Sequence, residues 1–122
     1  MPATLSLPEA PVLPTAHRLR ASREFSDVLR RGRRAARPTL TVHVLAGADG
    51  PVRAGLVVSK AVGGSVVRHQ VSRRLRHLLG ARLGTLTTGT RVVVRAAPAA
   101  AQATSVALGR DLDAALTRLA RR

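Results

Sequence analysis

Val57-Val58-Ser59-Lys60-Ala61-Val62-Gly63-Gly64-Ser65-Val66-Val67-Arg68-His69-Gln70-Val71-Ser72-Arg73-Arg74-Leu75-Arg76 reads as a strand end, a glycine turn and a helix in succession. The valines close an apolar run beginning at Val52, Gly63-Gly64 breaks it, and Ser65 is a residue type that caps helices. Val67, Val71, Leu75 and Leu78 then recur at helical spacing and cover an arc of roughly 80°, which predicts a buried stripe. His69, Arg73 and Arg76 fall on the opposite side, with Arg68 and Arg74 on the two edges of the stripe. The helix therefore has an apolar back and a cationic front. A surface helix normally interleaves Glu or Asp for i,i+4 pairing, and this one carries none. That gap favours a binding face over an ordinary solvated one.

Outward from this unit, Arg91 to Arg95 with Val92-Val93-Val94 at its centre predicts a buried strand ended by Pro98. Gly80, Gly84 and Gly89 are expected to break up the stretch before it. A last helix starts near Ser105, with Leu108, Leu112, Ala115, Leu116 and Leu119 on its apolar face. Upstream, a first helix is expected from Ser22 as N-cap, with Glu24 in its first turn and Phe25, Val28 and Leu29 facing inward. Gly32 ends it. Arg30, Arg31, Arg33 and Arg34 gather there, more cations than the helix dipole needs. Pro38 opens a strand in which Leu40, Val42 and Val44 alternate with Thr41, His43 and Leu45. Gly47-Ala48-Asp49-Gly50-Pro51 is a turn, and Val52 to Lys60 is a second strand expected to pair with the first as a hairpin, with Gly55 marking a close approach or bulge. These elements define one α/β (α+β) domain over 13–122, preceded by an irregular, proline-rich tail over 1–12.

Composition limits the function classes. The 122 residues carry 21 Lys and Arg against 6 Asp and Glu, a net charge of +15, whose self-repulsion an anionic partner relieves. Nucleic acid is the first candidate, because phosphate neutralisation releases condensed counterions. With Phe25 as the one aromatic residue, binding by stacking many bases is excluded. The absence of cysteine excludes disulfides and thiolate metal sites. No apolar run approaches the roughly 20 residues of a membrane span, and the first residues lack the pattern of a signal peptide, so a cytoplasmic protein without a membrane partner is expected.

No catalytic constellation emerges. Glu24 and Asp27 share a helix face, where Glu24 serves the helix N-terminus. His17, His43, His69 and His77 have no ligand-like spacing to a carboxylate, and Gly63-Gly64 alone is not a phosphate-cradling loop. A self-sufficient nuclease is disfavoured, and so is a general DNA-binding protein, for want of a helix-turn-helix or dimerisation seam.

The segment from Ser59 to Arg76 resembles the signature region of the bacterial ribonuclease P protein component, whose Arg-Asn-Arg motif lies on a helix after a Val-Ser-Lys strand and a Val-Gly turn. Leu13-Pro14-Thr15-Ala16-His17-Arg18-Leu19-Arg20, Phe25-Ser26-Asp27-Val28-Leu29-Arg30-Arg31-Gly32, Arg53-Ala54-Gly55-Leu56-Val57-Val58-Ser59-Lys60 and Val92-Val93-Val94-Arg95-Ala96 resemble its opening, first helix, central strand and last strand. The resemblance implies a two-layer sandwich with order α-β-β-β-α-β-α, a small mixed sheet, a ribosomal-protein-like fold and a left-handed β-α-β crossover. It also implies an accessory subunit of an endoribonuclease, assisting a catalytic RNA that removes the 5′ leader from precursor tRNA. Magnesium ions would be bound mainly by that RNA and the substrate, catalytic groups would reside in the RNA, and no obligate protein partner is implied. By position, Lys60, Arg68, His69, Gln70, Ser72, Arg73, Arg74 and Arg76 would meet RNA. Phe25, Leu29, Thr41, His43 and Ser59 would line the leader cleft. For Phe25, a plain core position is the competing reading.

Three positions depart from the motif: His69 stands for Asn, Gln70 for a basic residue and Ser72 for the usual Lys, which removes charge from the middle of the face. An aromatic is common where His43 stands. Val12-Leu13-Pro14 resembles the usual Met-Leu-Pro opening, so translation is expected to begin at Val12, which the intact mass of the native protein would check. The alternative function is a structural ribosomal-protein-like module that binds RNA without affecting tRNA cleavage.

Overall fold

One valine triplet sets the architecture. Val92, Val93 and Val94 are all fully buried, which requires cover on both faces of their strand and places it in the interior of a sheet. A computed structural model describes residues 15–19 and 21–120. The expected tail over 1–12, the Val12 start, and Leu13, Pro14 and Arg20 of the opening lie outside the described residues. The elements are α1 (Ser22–Arg31), β1 (Arg33–Ala36), β2 (Leu40–Leu45), β3 (Arg53–Val57), α2 (Ser65–Arg82), β4 (Arg91–Ala96) and α3 (Ser105–Ala120), with short 3-10 turns at Thr15–His17, Leu83–Thr85 and Pro98–Gln102. Their order matches the sequence expectation.

The sheet order is β1-β2-β4-β3; β1 and β4 run antiparallel to β2, and β3 is parallel to β4. This corrects the expected hairpin between the Leu40 and Val52 strands. β4, whose three central valines are fully buried, inserts between them, and the true hairpin joins β1 to β2 through Arg37-Pro38-Thr39. Gly47 to Pro51 therefore crosses the end of β4 rather than making a tight turn: Ala48 N–H donates to the Gly89 carbonyl at 3.0 Å and Arg53 N–H to the Thr90 carbonyl at 3.0 Å. Residues 58–60 lie beyond β3, which ends at Val57. The free edge of β3 is partly covered by Arg18 and Leu19, the latter's N–H donating to the Ala54 carbonyl at 2.9 Å. The other edge, β1, carries Arg33 and Arg34, whose charge discourages strand addition.

α2 and α3 cover one face of the sheet and bury Val71, Leu75, Leu79, Leu108, Leu112 and Ala115 against Leu40, Val42, Ala54, Val92 and Val94. That pair of layers is the expected sandwich. α1 lies across part of the opposite face, where Leu19, Val28 and Val93 form a second, smaller core with Phe25, Leu29, Leu45 and Val57 at its margin. On α2 the most deeply buried residue of the last turns is Leu79, with Leu78 half-buried beside it. The helix passes through Gly80, an expected breaker, to Arg82. A glycine in a helix costs about 1 kcal/mol, and burial of Leu79 and Leu83 on either side offsets it. Ser22 and Ser65 are the first helical residues, not caps; Ala21 and Gly64 occupy the cap positions without side-chain bonds. Gly32 ends α1 as expected, because a Cβ there would stand 2.5 Å from the Val28 carbonyl oxygen and 2.8 Å from that of Val44.

α3 is tied to the β1–β2 hairpin by a buried carboxylate. Asp111 Oδ2 accepts from Thr39 N–H at 3.1 Å and from Thr39 Oγ1 at 2.6 Å, and Arg37 Nε lies 3.8 Å from Oδ1. The N-terminal segment is anchored to β3 by His17 Nδ1, 2.6 Å from the Val52 carbonyl oxygen.

Candidate nucleic-acid interface

The glycine turn ends β3 and aims α2. Val62 N–H donates to the Ser59 carbonyl at 3.0 Å and Gly63 N–H to the Lys60 carbonyl at 3.2 Å, which folds the chain back and leaves Ser59 and Lys60 exposed. Burial of Val62 pins this turn to the core. From Gly64 the helix sets out with Val71 and Leu75 inward, so the remaining positions point out by the 3.6-residue period. His69, Gln70, Arg73 and Arg74 are exposed; Arg68, Ser72 and Arg76 are half-buried at the margins. All the residues expected to meet RNA therefore share one surface of the molecule.

No carboxylate occupies that surface among the described residues. The contacts these side chains make are neutral: Arg74 donates to the Ala103 carbonyl at 3.2 Å and Arg76 to Ser72 Oγ at 3.0 Å. The arginine that does find an acid lies further along the same helix. Arg82 makes a two-pronged pair with Asp113 of α3, at 2.6 Å and 3.1 Å. That hydrogen bond, opposed by partial burial and aided by the Arg82 charge, holds the Asp113 carboxyl below its ordinary pKa. Arg82 thus serves α2–α3 packing, and the arginines from Arg68 to Arg76 make no ion pair among the described residues.

A second feature lies on the other face of the sheet. Register alignment places Ala36, Thr41, Arg95 and Val57 in one row across the four strands, and Arg34, His43, Val93 and Gly55 in the next. α1 covers the second row: the Phe25 ring rests on Gly55, where any Cβ would collide with it, and Val28 packs with Val93. The close approach expected at Gly55 is thereby explained, and Phe25 is part of the α1 packing. The first row stays open, with Ala36 and Arg95 exposed and Thr41 and Val57 half-buried. The result is a groove with α1 as one wall and a floor spanning four strands, roughly 14 Å at normal strand spacing. Leu29 lies on the α1 wall, Thr41 on the floor, and Ser59 and Lys60 follow β3 at its end.

His43 sits deeper than expected for a groove-lining residue. It is 3% exposed, and neither ring nitrogen has a hydrogen-bond partner. Burial, and then the fields of Arg95 and Arg34, push its pKa below the ordinary histidine value and keep it neutral. Arg34 and Arg95 were not among the expected groove residues; strand register alone reveals that they flank His43. His77 was also missed, although its i+4 relation to Arg73 puts it on the same face of α2. Glu24 and Asp27 line a small cavity beside Arg31 and Arg91, and Asp27 pairs with Arg30 at 3.4 Å. Among the described residues no group of three His, Asp or Glu converges, and no helix is long and apolar enough to cross a membrane.

Fold and surface define a class: a small α+β protein with an acid-free cationic helix on one side of a mixed sheet and a groove walled by a single helix on the other. The chain belongs to the ribonuclease P protein family, whose profile, described as Ribonuclease P, matches residues 13–120. It is 56% identical over 117 residues to the ribonuclease P protein component of Streptomyces bikiniensis, covering 88% of this chain and 95% of that one. It is 50% identical over 111 residues to that of a Nocardioides species, with the same coverage. In fold it is similar to the RNase P protein of Staphylococcus aureus, with a TM-score of 0.75 at 21% identity over 88% of this chain and 97% of that one. The Thermotoga maritima protein gives 0.71 at 21% identity over 86% and 96%.

Proposed function

We propose that this chain is the RNA-binding protein subunit of ribonuclease P, assisting its catalytic RNA in removing the 5′ leader from precursor tRNA. The observation that carries the reading is the surface of α2, where Arg68, Arg73, Arg74 and Arg76 stand together with no carboxylate partner among the described residues. Such a surface grips phosphates through charge-assisted hydrogen bonds and the release of counterions. Lys60 on the adjoining turn adds a further cation. The groove between α1 and the open strand row is the site for the single-stranded leader, with Leu29, Thr41 and Val57 offering apolar contact and Arg34 and Arg95 receiving phosphates. Phe25 contributes by fixing α1 on Gly55, and so sets the groove's width. Ser59 lies where the groove meets the turn, and His43 lies beside the open row, in the row that α1 covers.

In this reading the protein contributes position and charge, while catalytic groups reside in the RNA and magnesium is bound mainly by the RNA and substrate. Holding the leader and the RNA at once turns two encounters into one and lowers the magnesium the complex requires. Reconstitution at low magnesium, with catalytic RNA and precursor tRNA, tests it. The protein should raise cleavage, and the gain should shrink when the leader is shortened. Cleavage that is unchanged by adding the protein would point instead to an RNA-binding module with no part in tRNA maturation.

A further inference from the structure

The cations of α2 fan over a wide arc, with Arg73 beside His69 and Arg76 at its middle. At about 100° per residue, Arg68, His69, Ser72 and Arg76 centre on one flank of the helix, and Gln70, Arg73, Arg74 and His77 on the other, about 130° away. The molecular surface follows this division. A depression of about 320 Å³ lies on the β3 side, lined by Leu56, Val58, Ser65, Arg68, His69 and Ser72. A second, of about 490 Å³, lies on the α3 side, lined by Gln70, Arg73, Arg74, His77, Leu78 and Ser105. Neither contains a carboxylate. The arginines on the two flanks are held apart by their own neighbours: Arg76 leans back on Ser72 Oγ, and Arg74 leans the other way on the Ala103 carbonyl of the loop before α3.

We infer that α2 is a ridge that sits between two backbone strands of a folded RNA, one strand lying in each depression. The inference rests on the reading that α2 docks on RNA and adds the shape of the docking site. With side chains at 5–6 Å from the helix axis, the centres of the two groups stand roughly 10 Å from each other, with the ridge of α2 between the two depressions. A-form helices and junctions present two strands facing across a shallow minor groove, and shape of that kind, not sequence, is what proteins read there. Charge complementarity fixes the occupant as phosphate on both sides. His77 and Ser105 thereby become contact residues on the α3 flank, and His69 and Ser72 on the β3 flank. The motif departures at His69, Gln70 and Ser72 thin each group by about one cation without removing either group.

Hydroxyl-radical footprinting of a ribonuclease P RNA transcript, with the full chain bound, reads the number of strands directly. Two pair variants separate the flanks: His69→Ala/Arg76→Ala and Arg73→Ala/His77→Ala. Thermal melting first confirms that each retains the fold. The unaltered protein should shield two separate backbone segments through α2, and each pair variant should uncover a different one. Each should also weaken binding roughly tenfold or more, as expected from lost charge-assisted contacts, and lower the salt slope by about 1 to 2. If both pairs uncover the same segment, or the Arg73/His77 pair leaves the footprint intact, the ridge inference falls while docking through α2 stands. If the unaltered protein shields nothing on this RNA, the docking reading itself falls.

Discussion

Replacing Asp111 tests whether the hairpin that carries half of the groove floor is held by one carboxylate oxygen. Both bonds from Thr39, N–H at 3.1 Å and Oγ1 at 2.6 Å, end on the same atom, Oδ2, and Thr39 is itself 8% exposed. Asp111→Ala leaves a buried N–H and a buried hydroxyl unpartnered, each costing about 1–3 kcal/mol, with a small cavity in addition. The Arg37 contact, at 3.8 Å with its side chain 43% exposed, adds little. The sum is about 3 kcal/mol, and at several degrees per kcal/mol for a chain of this size Tm should fall by roughly 10 °C. Asp111→Asn presents its carbonyl oxygen where Oδ2 stood, accepts both Thr39 bonds and loses only the ion pair. Its cost should stay below about 1 kcal/mol. Urea denaturation of the three proteins at neutral pH measures both numbers. An Asn variant as unstable as the Ala variant would show that the charge, and not the paired hydrogen bonds, secures the hairpin, and would refute the reasoning.

Two further outcomes follow from the α1 face. Gly55→Ala puts a methyl group into the Phe25 ring and should cost about 1–3 kcal/mol in stability by overpacking; Phe25→Leu in the same chain should recover part of it, and purely additive losses in urea melts would refute the contact. His43, whose pKa is lowered in the fold, binds a proton more readily in the unfolded chain. Its share of stability is therefore complete above the ordinary histidine pKa of about 6.5 and declines as pH falls below it. His43→Leu should flatten stability between pH 7.5 and pH 5 relative to the unaltered protein, and equal slopes would contradict the assignment.

Much of this was legible in the sequence, and the exceptions have a common cause. Helical period and the lack of acids on 65–82 disclosed α2 and its charged face, because both are local properties of one element. Alternation in β2 likewise disclosed which of its residues face α1. Strand order was not legible: β2 and β3 are joined by a turn-rich loop that looks like a hairpin, and only the burial of Val93 on its second face forces β4 between them. β1, four residues with two arginines, has no apolar alternation to declare it. Arg95 comes beside His43 through the pairing of β2 with β4, strands far apart in sequence, and Arg34 through the hairpin with β1, a strand that no apolar alternation declares. Gly80 misled because helix breaking is a local propensity and the leucines around it are held by tertiary packing.

Whether guanidiniums of α2 meet phosphates is reported most directly by salt, without a structure of the complex. Affinity of the full chain for ribonuclease P RNA should be measured across a potassium chloride series, for the unaltered protein and for the variant with Arg68, Arg73, Arg74 and Arg76 all changed to Ala. A variant slope of log affinity against log salt shallower by about 3 to 4 is the predicted result, with the loss of binding greatest at low salt. Parallel lines for the two proteins would mean that RNA is held elsewhere and would contradict the claim.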